Sequence, residues 1–351
     1  MRKIETNKLS EDTKKSMATR TITAVILAVL AVPAIIFGRW WFLLFVIAAL
    51  FMIIHEFINA PKNKSYSFFV HTFIYLMTFS FVFWIMIKNN LVNIKSIEEI
   101  SKWSFDHSFW TQIDTPEGLK TSAGISVSTI GVVLSAFVLF FLSITNKSFE
   151  INDVTYLFTM SVFIGISVQA MLFLRYFPTK AFFDANTVLV GADMYDYSTY
   201  STSLLLFYVI IGTFVTDAGA YFTGLLFGRR KMNERISPKK TWEGFVGGVV
   251  LSTIVSFGFA LICDKLGKPL LPQLTSGKWY WILIISIMMP FIANLGDFIF
   301  SALKRHFNMK DYGSLLKGHG GVLDRVDSLL CVSLAVAVFV IFLHNGWDFL
   351  I

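Results

Sequence analysis

Apolar residues along this chain come in long runs separated by short charged loops. A run of around 20 mostly apolar residues, wound as a helix, crosses about 30 Å of hydrocarbon. Such runs stand at about 21–38, 40–58, 67–87, 123–145, 154–176, 203–227, 243–263, 279–303 and 328–350. They predict an all-α, polytopic integral membrane protein with about nine transmembrane helices. The first run does not read as a cleaved signal, because no small-residue cleavage site follows it and Arg39-Trp40-Trp41 leads straight into the next run. The chain has no internal repeat and no low-complexity tract. The expected organisation is a cytoplasmic tail over 1–20, an N-terminal transmembrane region of about five helices over 21–202, and a C-terminal transmembrane region of about four helices over 203–351.

Loop charges orient these runs. The tail carries Arg2, Lys3, Lys8, Lys14, Lys15 and Arg20, which places it in the cytoplasm by the positive-inside rule. Counting forward, the 59–66 loop (Lys62, Lys64) returns inside, and the 88–122 and 177–202 loops fall outside. The second outer loop is acidic, with Asp184, Asp193 and Asp196 against Lys180. Loop 228–242 returns inside with Arg229, Arg230, Lys231, Arg235, Lys239 and Lys240 against Glu234, and the 304–327 segment lies inside as well. Loop 264–278, with Lys265, Lys268 and Lys278 on the outer side, runs against the pattern. The 88–122 loop mixes Trp103, Phe105, Phe109 and Trp110 with charges, which suits an interfacial amphipathic segment or a small outer cap.

Composition agrees with a membrane protein. The 351 residues are 55% hydrophobic, 16% aromatic and 15% charged, where a soluble domain carries about 25% charged residues. The net charge of +7 fits cytoplasmic loops facing anionic lipid, so no nucleic-acid partner is expected. Cys263 and Cys331 sit far apart in apolar runs, without metal spacing or a disulfide framework, and read as small buried hydrophobes.

The chemistry gathers late in the chain. Gly296–Asp327 reads GDFIFSALKRHFNMKDYGSLLKGHGGVLDRVD, between two apolar runs. Ionisable groups at a membrane edge are costly, so this cluster is a functional-site hypothesis by default. Carboxylates beside cations suit a divalent metal bound together with a phosphate. Asp297 lies in the last turns of one run and Asp324 at the entry to the next, on the same membrane face, so the two are expected to converge on one ion. Asp327, three residues after Asp324, shares its helical face and serves as second ligand or as support. Lys304 and Arg305 suit a phosphate or lipid head group. Gly318, Gly320 and Gly321 flank His319 and let backbone approach a ligand closely. His319 reads as a structural or phosphate-contacting histidine before a general base.

Two further elements precede this cluster. Asp217 stands late in the sixth run, where a carboxylate needs a partner or a wet cavity. Ala218, Gly219, Ala220 and Gly224 allow close helix approach. In Gly228–Gly248, Ser237-Pro238 is expected to start a turn, after which Lys239, Lys240 and Thr241 enter the seventh run. A helix N-terminus with a hydroxyl and lysines favours a phosphate. Arg229, Arg230 and Lys231 read as positive-inside anchors, and Glu243 as a first-turn partner of the helix dipole.

These residues resemble the phosphatidate cytidylyltransferase (CDP-diacylglycerol synthase) family. The likeness rests on Ser301, Leu303, Lys304-Arg305, Lys310-Asp311, His319-Gly320-Gly321 and Asp324-Arg325-Val326-Asp327, preceded by Asp217 to Phe222, Ile236-Ser237-Pro238-Lys239-Lys240-Thr241 and Gly296-Asp297. It covers about residues 210–330. Lys317-Gly318 stands where the family usually has Pro-Gly, and Ala218 where it commonly has Thr or Ser. The resemblance implies a Mg²⁺-dependent nucleotidyltransferase making CDP-diacylglycerol and pyrophosphate from CTP and phosphatidate, in phospholipid biosynthesis. It implies metal on Asp297, Asp324 and Asp327, and catalytic roles for these with Lys304, Arg305 and His319. Ser237, Pro238, Lys239, Lys240, Thr241, Asp217 and Asp311 would contact substrate. The expected setting is a multi-pass protein of the bacterial inner (plasma) membrane with its site facing the cytoplasm, among membrane lipids, where a homodimer is one arrangement allowed.

Two other functions compete. A CTP-dependent polyprenol or lipid kinase would use similar metal–phosphate parts, and label from the α or γ position of CTP tells them apart. A transporter would need charge near the bilayer centre in both halves. The first five runs are read as nearly free of buried charge, which argues against it.

Overall fold

The computed structural model describes residues 11–62, 64–93, 127–177, 199–316 and 320–345. Among these residues ten helices and one small hairpin run in the order α1 (Glu11–Phe37), α2 (Arg39–Ile58), α3 (Phe68–Asn93), α4 (Val127–Thr145), α5 (Ile151–Tyr176), α6 (Thr199–Phe227), β1 (Lys231–Asn233), β2 (Ser237–Thr241), α7 (Trp242–Lys265), α8 (Pro272–Thr275), α9 (Tyr280–His306) and α10 (Leu323–Asn345). The all-α, polytopic membrane architecture expected from the hydrophobic pattern is the one observed.

Every expected run overlaps a helix. Among the described residues six helices are long and apolar enough to cross a membrane: α2, α5, α6, α7, α9 and α10. Helices α1, α3 and α4 carry shorter apolar stretches, Val25–Phe37, Phe68–Trp84 and Ile130–Thr145. The count of nine therefore resolves into six full-length spans and three shorter stretches. Helix α1 begins at Glu11, inside the expected tail. The expected outer loop 88–122 lies outside the described residues from 94 onward, and so do 178–198 of the second outer loop.

The interior divides into two apolar clusters. One joins Leu50, Ile54 and Phe57 of α2 to Val70 and Ile74 of α3, Leu157 and Ile164 of α5, and Phe300, Leu323 and Leu330 near the charged segment. The other joins Leu174 of α5, Leu205 and Tyr208 of α6, Ile285 and Met289 of α9, and Val332 and Val336 of α10. Outward faces remain apolar, as lipid contact requires: Val246, Val250 and Ile254 of α7 are exposed.

Three of the packing details set where the site falls. Helices α6 and α7 approach closely because small residues meet. A Cβ on Gly219 would stand 3.1 Å from the Gly248 Cα, and one on Gly248 would stand 2.8 Å from the Thr216 carbonyl oxygen. Ser252 of α7 donates to the Gly212 carbonyl of α6 at 2.7 Å. Pro290 inside α9 removes the N–H that the Ser286 carbonyl would have accepted, and Thr253 of α7 donates to that carbonyl instead at 3.3 Å. Asn294 then returns a bond to the Pro290 carbonyl at 2.9 Å, one turn before Asp297.

Buried charge in the first half corrects the sequence expectation. Glu56, Asp153 and Arg175 are 5%, 6% and 0% exposed. Each is satisfied by specific partners. Arg175 donates to the Ile35 carbonyl at 2.6 Å, the Ile36 carbonyl at 3.2 Å and the Thr202 hydroxyl at 3.0 Å. Asp153 accepts from Lys64 at 2.8 Å and Tyr66 at 3.1 Å, and burial with that neighbouring carboxylate pushes the Tyr66 hydroxyl pKa up. These residues are hidden in the sequence because their partners lie far off along the chain, Lys64 and Tyr66 for Asp153 and the Ile35 and Ile36 carbonyls for Arg175. Cys263 and Cys331 are free and buried, as expected.

Candidate active site

The hairpin β1–β2 corrects the reading of Ser237-Pro238. The turn is at 234–236, and Ser237 to Thr241 form the returning strand, paired Lys231 with Thr241 and Asn233 with Ser237. The Asn233 side chain accepts from the Arg235 and Ile236 N–H groups, which closes the turn two residues earlier than its proline suggests. Thr241 ends the strand and caps α7, its hydroxyl accepting from the Gly244 N–H at 3.1 Å. The Glu243 carboxylate accepts from the Arg229 and Arg230 N–H groups, so it ties off the hairpin base as well as facing the helix dipole. Along this strand Pro238 and Lys239 are exposed, Ser237 and Lys240 half-buried, and Thr241 buried.

Lys240 points from the hairpin towards α9. Its ammonium lies 2.5 Å from Asp297 Oδ2, 3.3 Å from Asn294 Oδ1 and 4.7 Å from the centre of the Phe298 ring. Ser301 donates to the other Asp297 oxygen at 3.3 Å. Asp217 on α6 is exposed, with Asp297, Lys240 and Arg325 inside its electrostatic range. Asp327 is buried, with Asp297, Asp217 and Lys304 inside its range. Carboxylates from α6, α9 and α10 thus face one region, with lysines at its edge.

Asp324 is held differently. Lys304 donates to its Oδ1 at 2.9 Å, and the Tyr312 and Gly321 N–H groups donate to its Oδ2 at 2.8 and 3.0 Å. Its side chain is 1% exposed. The sequence puts Asp297 and Asp324 on one ion; in the structure Asp327 lies within electrostatic range of Asp297, and Asp324 is surrounded by protein donors. Helix α10 starts at 323 and not near 328, so Asp324 falls in its first turn and Asp327 one turn deeper. Among the described residues no three His, Cys, Asp or Glu side chains are gathered closely enough to hold an ion by themselves.

The remaining expected residues are dispersed. Arg305 donates to the Ile236 carbonyl and to the Met309 carbonyl, both at 3.3 Å, which fastens the hairpin turn to the end of α9. Asp311 is exposed and packs against Gly320, whose φ of +84° suits glycine. His319 lies outside the described residues, with Lys317 and Gly318. Tyr312 is 7% exposed with its ring 5.8 Å from the Lys304 ammonium; burial beside Asp324 pushes its hydroxyl pKa up.

Sequence reasoning missed Glu56. Its carboxylate on α2 accepts from the Val322 and Leu323 N–H groups, both at 2.8 Å, at the start of the helix that carries Asp324 and Asp327. The only signal was an acid within the apolar run FMIIHEFI.

Known proteins with this sequence pattern share one chemistry in name. The chain is similar to the phosphatidate cytidylyltransferase of Bacillus subtilis (strain 168), 32% identical over 209 residues, which is 60% of this chain and 66% of that protein. It is similar to that of Staphylococcus saprophyticus, 39% identical over 158 residues, 44% of this chain and 57% of that one. It is also similar to that of Haemophilus influenzae, 36% identical over 159 residues, 44% and 51% of the two chains. The matched stretch therefore spans about half to two thirds of the length of these curated relatives. Residues 18–343 match the profile of a single family, so the carboxylates and lysines described here sit in a chain that belongs to the cytidylyltransferase family.

Proposed function

We propose that this protein is a phosphatidate cytidylyltransferase, joining CTP and phosphatidate to give CDP-diacylglycerol and pyrophosphate. The observation that carries this reading is the Lys240–Asp297 ion pair with Asp217 and Asp327 within electrostatic range of Asp297, on the three packed helices α6, α9 and α10. An anionic phosphate oxygen of phosphatidate attacks the α-phosphorus of CTP. A P–O bond forms there while the α–β bridging P–O bond breaks, and pyrophosphate leaves with that electron pair. The nucleophile is already ionised, so little base catalysis is needed, and positioning with charge neutralisation does the work.

The carboxylates suit Mg²⁺, which takes one or two protein carboxylates and completes its shell with phosphates and water. Asp297 and Asp327 would hold it, with Asp217 nearby. When bound, the ion supplies charge neutralisation on the transferring phosphoryl group. Lys240, half-buried beside Asp297, and Lys239, exposed on the same strand, reach CTP phosphates. Asp324 acts one step back, aiming the Lys304 ammonium and holding the 312 and 321 backbone in place. CTP arrives from the cytoplasm and the lipid laterally, which suits a site at the basic end of the spans in a bacterial inner membrane.

Purified protein given CTP, phosphatidate and Mg²⁺ is expected to release pyrophosphate and to carry α-phosphate label into lipid. Label entering lipid from the γ position would assign a kinase and refute this reading.

A further inference from the structure

We infer that Glu56 is a positioning residue for the reaction, a carboxylate of the second helix that fixes the start of α10 and so sets where Asp324 and Asp327 stand. The inference rests on the functional reading above for what those aspartates do. Its structural part rests on Glu56 itself.

The first N–H groups of a helix lack intrahelical partners. At the start of α10 the N–H groups of 321–323 and 325 find acceptors outside the α-helical ladder. The Gly321 N–H goes to Asp324, and the Arg325 N–H to the Val322 carbonyl. The Val322 and Leu323 N–H groups both go to Glu56, 266 residues away from Val322 in sequence. Glu56 thus satisfies the N–H groups of Val322 and Leu323, the residue before α10 and its first residue, from a different helix. It is 5% exposed, with Gly313 and Gly321 on its flanks. A Cβ on Gly313 would stand 2.7 Å from Glu56 Oε1, and Gly321 leaves still less room. With both oxygens already bonded, the carboxylate has little freedom to retreat. Backbone on both sides of the charged loop is therefore seated on this one group.

The consequence reaches the reacting centre in two covalent steps: Leu323 precedes Asp324, and Asp327 follows by one turn. The ends of α10 and α9 must be held to a fraction of an ångström, because misplacing a group in a transferring site by about 1 Å lowers rate by about a hundredfold. Among the described residues Glu56 bonds neither lysine nor Asp297, so its effect runs through backbone position and through its charge within range of Asp324.

Glu56→Gln is the informative variant. It keeps size and one acceptor oxygen, and turns an NH₂ donor towards one of two N–H donors. Amide hydrogen exchange read across the whole purified chain, together with steady-state rates, tests the inference. Exchange is expected to quicken by about tenfold or more at 321–325 while α5 and α6 keep wild-type protection. The turnover number should fall by about ten- to a hundredfold, with the KM for CTP moved much less. Glu56→Asp, which restores both acceptors one methylene shorter, should recover part of the turnover and of the local protection. Wild-type exchange at 321–325 in Glu56→Gln overturns the inference, as does wild-type turnover. A uniform rise in exchange over all helices, equal in Glu56→Asp, also overturns it by assigning a general packing role. The exchange pattern decides the placement of α10 even for an enzyme that turned over other substrates, so failure of the substrate assignment and failure of this inference are separable.

Discussion

The Lys240 ammonium sits 2.5 Å from Asp297 Oδ2, so a group suited to a phosphate is paired with a group suited to a cation. The pair also touches Asn294 and the Phe298 face. Both partners are only partly exposed, at 20% and 28% of their side chains. Arrival of a metal–nucleotide complex must exchange this internal pair for two external ones. Lys240→Ala is therefore expected to act in two opposite directions. The KM for CTP should rise by about ten- to a hundredfold, as a charge-assisted hydrogen bond worth about 1.5–3 kcal/mol is lost. The Mg²⁺ concentration needed for half-maximal rate, read at saturating CTP, should fall because Asp297 is no longer occupied.

Asp297→Asn removes the acceptor charge while keeping the shape. Turnover should fall by about a hundred- to a thousandfold, the scale of losing one electrostatic partner of a transition state. Circular dichroism and detergent-extracted yield should stay at wild-type levels, because Asp297 is half-buried and, among the described residues, bonded to Lys240 and Ser301.

Lys304 and Asp324 behave differently because they are deeply buried, at 12% and 1% side-chain exposure. Breaking a buried pair by removing one partner costs about 3–5 kcal/mol, since the survivor is left charged and unpaired. Lys304→Met and Asp324→Asn should each lower the melting temperature in detergent substantially. The double variant should be less destabilised than the two losses added together, which a double-mutant cycle on thermal unfolding would measure.

Much of this architecture was legible in the sequence, and the reason is physical. Hydrocarbon demands about 20 apolar residues per crossing and gives a signal no other constraint imitates. The grouping of Asp297, Lys304, Asp324 and Asp327 was legible because charge at a membrane edge is expensive. Their division of labour was not. Asp324 and Asp327 look alike three residues apart, and only the start of α10 at 323 shows that Asp324 takes Lys304 and two N–H groups of the preceding loop while Asp327 takes the Ser328 N–H and lies within electrostatic range of Asp297. The hairpin was missed because Pro238 suggested a turn, whereas Asn233 makes one by accepting from Arg235 and Ile236. Glu56 and Arg175 were hidden for another reason. Each is a single charge in an apolar run, and the backbone groups that satisfy it come from helices far off in sequence.

Thr241 links the hairpin to the helix bundle, and its loss should be felt as stability. It is 7% exposed and caps α7 through the Gly244 N–H. Its Oγ1 also stands where a Cβ on Gly224 would be 3.0 Å away, where the end of α6 passes the start of α7. Thr241→Ala should cost about 1 kcal/mol, the usual loss for an N-cap hydroxyl. Thr241→Ser should keep most of it. A thermal-shift series over both variants checks this, and the smaller Ser side chain separates the capping bond from packing of the lost methyl.

Chelation separates the carboxylates that would hold metal from those that hold the fold. Asp324 is satisfied by Lys304 and two N–H groups, and Glu56 by two more, so neither needs an ion. Asp217 and Asp327 lie within electrostatic range of Asp297, and Lys240 already offsets Asp297. Removing Mg²⁺ with EDTA should therefore abolish turnover while shifting the melting temperature by only a degree or two. Adding Mg²⁺ together with CTP should raise it, by about 2.7 kcal/mol in stability at a hundredfold excess over the dissociation constant. In Asp327→Asn that ligand-induced rise should shrink, whereas the melting temperature without ligand should hold or increase, because one of the mutually repelling carboxylates is gone. A large loss of stability on chelation alone would show that metal is part of the fold, and would move Asp327 from the reaction to the framework.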